Sequence, residues 1–133
     1  MEIILAENHG FCYGVKRAVE MANEAAEGKG KSYTLGPIIH NPQVVGRLES
    51  KGVSPIQEVA DIDEGTMIIR SHGVGPAIYA EAEEKGLHIL DATCPHVKKA
   101  QQDAKSVIED GMTLVILGEK NLSLIHISEP TRR

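Results

Sequence analysis

Two cysteines and two histidines stand where short turns run into helices. Cys12 follows Gly10-Phe11, Cys94 follows Asp91-Ala92-Thr93, His40 precedes Asn41-Pro42, and His72 lies within Ser71-His72-Gly73-Val74-Gly75. A thiol at a helix amino terminus is stabilised as thiolate by unpaired N–H groups and the helix dipole, which suits it to ligate a metal. Imidazoles beside helix starts are natural contacts for phosphate-like anions. The chemistry on offer is therefore the binding of a metal or an anion at an edge lined by thiols and imidazoles. Cys12 and Cys94 are about 82 residues apart, so they have neither the spacing of a structural zinc site nor a C-x-x-C redox pair. Free cysteines are also commonly small buried hydrophobes, and position alone leaves both readings open. His9, His88 and His96 need no functional role, and Lys16 and Arg17 fit a solvated helix face. Turn geometry suffices for glycines 10, 14, 36, 73 and 75, and Gly73-Val74-Gly75 lacks the third glycine of a dinucleotide loop.

The elements that must carry these residues are short and alternate in kind. Apolar runs predict strands at Glu2–Ala6, Ser32–Leu35, Thr66–Arg70, Leu87–Leu90 and Thr113–Leu117. Between them, apolar residues at helical spacing predict helices from Val15 to the Gly28 region, from Pro42 to before Gly52, from Pro76 through Lys85, and from Pro95 to Gly111. Strands that read as continuous apolar runs and alternate with helices argue for an α/β fold, a parallel sheet with helices packed on its faces. In such sheets ligands bind at the carboxyl ends of the strands, where all four chemical residues fall.

The chain has 133 residues, room for one ordinary domain or a piece of a larger protein. With 41% hydrophobic residues it can bury a core, and with aromatics at 3% that core must be aliphatic. A formal net charge of −5 and the lack of aromatic platforms disfavour a nucleic-acid partner. No stretch of about 18 apolar residues predicts a membrane span. The opening residues lack the pattern of a secretory leader, and two unpaired cysteines suit a reducing compartment, so the expected location is cytoplasmic.

Read together, Gly10-Phe11-Cys12-Tyr13-Gly14-Val15-Lys16-Arg17-Ala18, Gly36-Pro37-Ile38-Ile39-His40-Asn41-Pro42, Arg70-Ser71-His72-Gly73-Val74 and Asp91-Ala92-Thr93-Cys94-Pro95 resemble the successive signatures of the LytB family of 4-hydroxy-3-methylbut-2-enyl diphosphate reductases. That family performs the terminal step of the methylerythritol phosphate route to isoprenoids. The resemblance implies a three-lobed α/β iron–sulfur enzyme holding one 4Fe-4S cluster by three cysteines, of which Cys12 and Cys94 match the first two. The third lies in a part of the family that this chain lacks. Three thiolates leave one iron without a protein ligand, free to act as a Lewis acid. The implied substrate is a small allylic diphosphate, reductively dehydroxylated to isopentenyl and dimethylallyl diphosphates, with a ferredoxin or flavodoxin as electron donor. His40 and His72 match diphosphate contacts.

On this resemblance, residues 1–94 form the first α/β lobe and residues 95–121 a linking helix with the first strand of the second lobe. The final residues, 122–133, resemble the translation of a transposase mosaic-end sequencing adapter and read as a non-native tail. Where the family continues from Gly118-Glu119-Lys120-Asn121 into a His-Pro-Glu segment tied to proton delivery, this chain has Leu122-Ser123-Leu124. His126 and Glu129 do not inherit those roles, so no catalytic residue is retained and the chain as it stands is expected to be inactive. The competing expectation, from a different class, is a non-catalytic diphosphate- or metal-binding α/β module using the same thiols and imidazoles.

Overall fold

The computed structural model describes residues 2–28 and 30–117. In chain order the elements are helix α1 (Tyr13–Glu27), strand β1 (Ser32–Leu35), helix α2 (Pro42–Ser50), strand β2 (Val53–Ile56), a single 3-10 turn (Val59–Asp61), strand β3 (Thr66–Ile69), helix α3 (Pro76–Glu84), strand β4 (His88–Asp91) and helix α4 (Pro95–Glu109). Three helices open on a proline, whose fixed φ suits the first helical position and whose missing N–H costs nothing there. Asn41 caps α2 by accepting hydrogen bonds from the N–H groups of Gln43 and Val44.

The four strands form one parallel sheet in the order β2-β1-β3-β4. Its side chains alternate between two aliphatic cores. Ile68 and Leu90 turn to the face where Ala18 and Ala22 of α1 and Leu48 of α2 pack. Met67, Ile69 and Ile89 turn to the face covered by Ala82 of α3 and by Val59 and Ile62. Met67, Ile68 and Ile69 are fully buried, and burial of each is worth roughly 1.5–3 kcal/mol. The sheet is thus covered on both sides, as a parallel sheet must be.

Two expected strands are absent. Residues 2–6 and 113–117 adopt no strand, and Ile3, Ile4, Leu5, Val115 and Leu117 are between 74% and 94% exposed. Apolar composition does not make a strand unless neighbouring backbone accepts its hydrogen bonds, and no described strand pairs with either segment. Conversely β2 was not foreseen. Pro55 lies inside it, which argues against a central strand, and β2 is indeed an edge strand where the missing N–H can face away from the sheet. Helix α4 has no fully buried residue, so its apolar stripe of Val97, Ala100, Ala104 and Val107 is only partly covered. Among the described residues no helix is long and apolar enough to cross a membrane. The tail at 122–133, with His126 and Glu129, lies outside the described residues.

Candidate functional site

The strand order reverses direction between β1 and β3. The chain leaves β1 through α2 toward β2, but leaves β3 through α3 toward β4, so the loops after these two adjacent strands part and leave a crevice between them. His40 lies in the first loop and His72 in the second. Their ring centroids are 4.8 Å apart, tilted by 46°. His40 is exposed, whereas His72 is half-buried and its Nδ1 is buried with no hydrogen-bond partner. Burial holds the His72 pKa below the usual 6.5, and the neighbouring His40 and Arg70 charges push it the same way. An anion entering the crevice would bring a negative charge beside two imidazoles, with the Arg70 charge close enough to act on His72.

Backbone and side-chain hydrogen bonds stitch the neighbouring loops together. Ser71 Oγ donates to the carbonyl of Ile38 at 3.4 Å, tying the β3 loop to the β1 loop. The N–H of Cys94 donates to the carbonyl of Ser71 at 2.9 Å, tying the β4 turn to the β3 loop. Arg17, on α1, donates from Nη1 to the carbonyl of Thr93 at 3.3 Å. The carboxyl edge of the sheet is therefore a continuous row: the His40 loop, the His72 loop, the Cys94 turn and the start of α1.

Both cysteines are free thiols, Cys12 exposed and Cys94 half-buried, and each is the residue preceding its helix, Cys12 for α1 and Cys94 for α4. Neither sulfur caps its helix, so each is left available to a ligand. Cys94 sits against α1 at Gly14. A Cβ placed on Gly14 would meet Cys94 Sγ at 2.5 Å and Cys94 Cβ at 2.9 Å. Since the Cα of Cys12 lies within about 7.6 Å of the Cα of Gly14, two peptide units away, both thiols occupy the same end of α1. Among the described residues no group of three or more histidine, cysteine, aspartate or glutamate side chains could hold a metal ion.

The turn that presents Cys94 is braced by Asp91. One carboxylate oxygen accepts the N–H of Thr93 at 2.9 Å, and the other accepts Tyr79 OH at 3.0 Å and pairs with Lys98 Nζ at 2.5 Å. Burial alone would raise the Asp91 pKa, but hydrogen bonds from Lys98, Thr93 and Tyr79 outweigh it and hold the carboxyl below its usual value of 3.8. The Tyr79 phenol, desolvated and next to that carboxylate, is pushed up to about 12.

The residues singled out in the sequence thus gather at one edge, but Cys12 arrives by a different route from that expected. Residues 2–6 form no strand to end in a turn there; α1 itself, held to the Cys94 turn through Arg17 and Gly14, carries Cys12 to the edge. Three contributors were missed. Arg17 is half-buried and hydrogen-bonded rather than solvated, Gly14 lies inside α1 rather than in a turn, and Asp91 organises the turn before Cys94. The visible signals were the i, i+2 spacing of Cys12 and Gly14 and the position of Asp91 two residues before Thr93, where an aspartate can accept a backbone N–H.

Curated 4-hydroxy-3-methylbut-2-enyl diphosphate reductases from Geotalea uraniireducens and Geobacter sulfurreducens are 54% and 55% identical to this chain over 119 residues, covering 90% of it but only 42% of their own length. A solved structure of (E)-4-hydroxy-3-methyl-but-2-enyl diphosphate reductase, described as the terminal enzyme of the non-mevalonate pathway, superposes with a TM-score of 0.83 at 47% identity, covering 95% of this chain and 45% of that one. A solved structure of the E-1-hydroxy-2-methyl-but-2-enyl-4-diphosphate reductase from Plasmodium falciparum superposes with a TM-score of 0.84 at 33% identity, over 90% of this chain and 38% of that one. The chain therefore spans less than half the length of these relatives. Residues 3–123 match the family described as LytB protein, and with all four motifs inside that span the chain belongs to the LytB family.

Proposed function

We propose that this chain is the amino-terminal part of a 4-hydroxy-3-methylbut-2-enyl diphosphate reductase, contributing two thiolates of an iron–sulfur centre and half of a diphosphate pocket. The observation that carries this reading is the meeting of His40 and His72 at the switch-point crevice, in the same stitched row of loops as Cys94. The reaction is the reductive removal of an allylic hydroxyl. The C–O bond breaks, two electrons and two protons are taken up, the oxygen leaves as water, and the allylic diphosphate becomes isopentenyl or dimethylallyl diphosphate.

The residues present fit part of a 4Fe-4S centre. Two free thiols lie at one end of α1, and the space beside Gly14 that a side chain would fill is taken by the Cys94 sulfur. Cys12 and Cys94 would hold the cluster together with a third cysteine from the remainder of the longer protein. When bound, the cluster supplies electrons and an iron site for the hydroxyl oxygen. The work of this chain's own residues is binding and placement. The His40 and His72 imidazoles face the diphosphate and Arg70 adds positive charge behind His72, while the bonds from Ser71 and Cys94 fix the distance between that anion site and the thiols. The proton-delivering segment belongs to the portion absent here, so the chain by itself is inactive. Residues 1–94 constitute the first lobe and residues 95–121 lead into the second. A ferredoxin or flavodoxin supplies the electrons in a cytoplasmic setting.

The test is anaerobic reconstitution of the full-length protein with iron and sulfide, followed by product analysis with the allylic diphosphate and a chemical reductant. Turnover by the full-length protein and none by the 133-residue chain is the expected result. A full-length protein that carries iron but yields neither product overturns the reading in favour of a non-catalytic binding module.

A further inference from the structure

Gly14 is buried in the first turn of α1, and its backbone is not in the positive-φ region where glycine is needed. Conformation therefore does not require glycine there, and within a helix alanine would be favoured over it. The space around it explains the choice. The three heavy atoms nearest to a Cβ built at this position all belong to Cys94: Sγ at 2.5 Å, Cβ at 2.9 Å and Cα at 3.7 Å. Real Cβ contacts are essentially never that short, and because Cys94 Cβ is also in conflict, rotating the thiol does not relieve the clash.

The Cys94 backbone has little freedom to retreat. Its N–H is bound to Ser71, its carbonyl accepts the N–H of Lys98 in the first turn of α4, and the preceding residue is held by Asp91 and by Arg17. Arg17 belongs to the same helix as Gly14, so α1 grips the Cys94 turn at two points one helical turn apart.

We propose that Gly14 is a positioning residue for the Cys94 thiol: the missing side chain is the notch that seats the sulfur against the amino terminus of α1, beside Cys12. This extends the reductase reading, because a displaced Cys94 sulfur no longer shares a centre with Cys12. The steric claim itself stands on contacts in this chain and does not depend on iron.

The test is a double-mutant cycle. In a Cys12→Ser background, Gly14→Ala is expected to lower the melting temperature despite alanine's better helix propensity, and to speed maleimide alkylation of Cys94 several-fold as the half-buried sulfur is forced outward. Combining Gly14→Ala with Cys94→Gly, which empties the other side of the contact, is expected to restore the melting temperature to that of Cys94→Gly alone or above it. If Gly14→Ala does not fold, recovery of folding by Cys94→Gly supports the notch equally, and lack of recovery overturns it. An unchanged melting temperature and alkylation rate in Gly14→Ala also overturn it. Iron content of the full-length Gly14→Ala protein separates the two claims. Loss of iron together with a positive cycle supports both, whereas a positive cycle with iron retained keeps the notch and removes Cys94 from the metal centre.

Discussion

Replacing Asp91 by alanine strips the Cys94 turn of its brace, and the structure gives the size of the effect. Three donors converge on the carboxylate: the Thr93 N–H at 2.9 Å, Tyr79 OH at 3.0 Å and Lys98 Nζ at 2.5 Å. The first two are part-buried, and a hydrogen bond to a charged group is worth about 1.5–3 kcal/mol when removal leaves its partner unsatisfied. The Lys98 side chain is 44% exposed and Asp91 21%, so their ion pair is partly screened by solvent and adds about 0–1 kcal/mol. Asp91→Ala should therefore cost about 3–7 kcal/mol, a large share of the roughly 5–15 kcal/mol typical of a domain. Tyr79→Phe removes one of these bonds, and Asp91→Asn keeps an acceptor for Thr93 while losing the charge; each should cost about 1.5–3 kcal/mol. Urea unfolding followed by circular dichroism orders the three variants. If Asp91→Asn proves as damaging as Asp91→Ala, net charge rather than the forked hydrogen bonding holds the turn, and the reasoning fails.

Other expectations concern the imidazoles and the titrating groups. His40→Ala or His72→Ala should weaken inorganic pyrophosphate binding to the full-length protein roughly 10- to 100-fold, on the basis of about 1.5–3 kcal/mol per charge-assisted contact, with little change in melting temperature. Calorimetric titration decides it, and unaltered affinity in both variants would remove the anion site from this crevice. The folded pKa of His72 is depressed, so below pH 6.5 the unfolded chain binds more protons than the folded one. Stability should fall as pH drops through 6.5 toward the folded value, and His72→Gln should flatten that slope in a pH series of urea midpoints. The Tyr79 pKa is raised from 10.0 to about 12, so its contribution is complete below pH 10 and is lost as pH rises toward 12; Tyr79→Phe should remove that alkaline decline. Sequencing the gene across codon 121 should reveal a frame that continues into a His-Pro-Glu segment in place of Leu122-Ser123-Leu124, and a genomic frame encoding the present tail would refute its foreign origin.

The parts legible in the sequence were those whose signals are local. Prolines at 42, 76 and 95 mark helix starts, and the apolar runs at 32–35, 66–69 and 88–90 are strands because their neighbours lie within this chain. The failures involve partners that sequence does not display. Ile3-Ile4-Leu5 has the composition of a buried strand but no strand beside it, and β2 hides behind Pro55, which only an edge position tolerates. The placement of His40 and His72 at one edge of the sheet was legible because each stands in a turn between a strand and the next helix. Gly14 was not, because its importance lies in an atom it lacks and in a neighbour 80 residues away. Arg17 was misread for a similar reason: its acceptor, the Thr93 carbonyl, is brought to it only by the fold.

The central claim is that Cys12 and Cys94 grip one iron–sulfur centre from the same end of α1. Iron and acid-labile sulfide per polypeptide, measured after anaerobic reconstitution of full-length wild-type, Cys12→Ser and Cys94→Ser proteins, test it most directly. The account predicts a filled centre in the wild type and loss of most iron and sulfide in each single variant. Iron, sulfide and reductase turnover all persisting in both variants would contradict it.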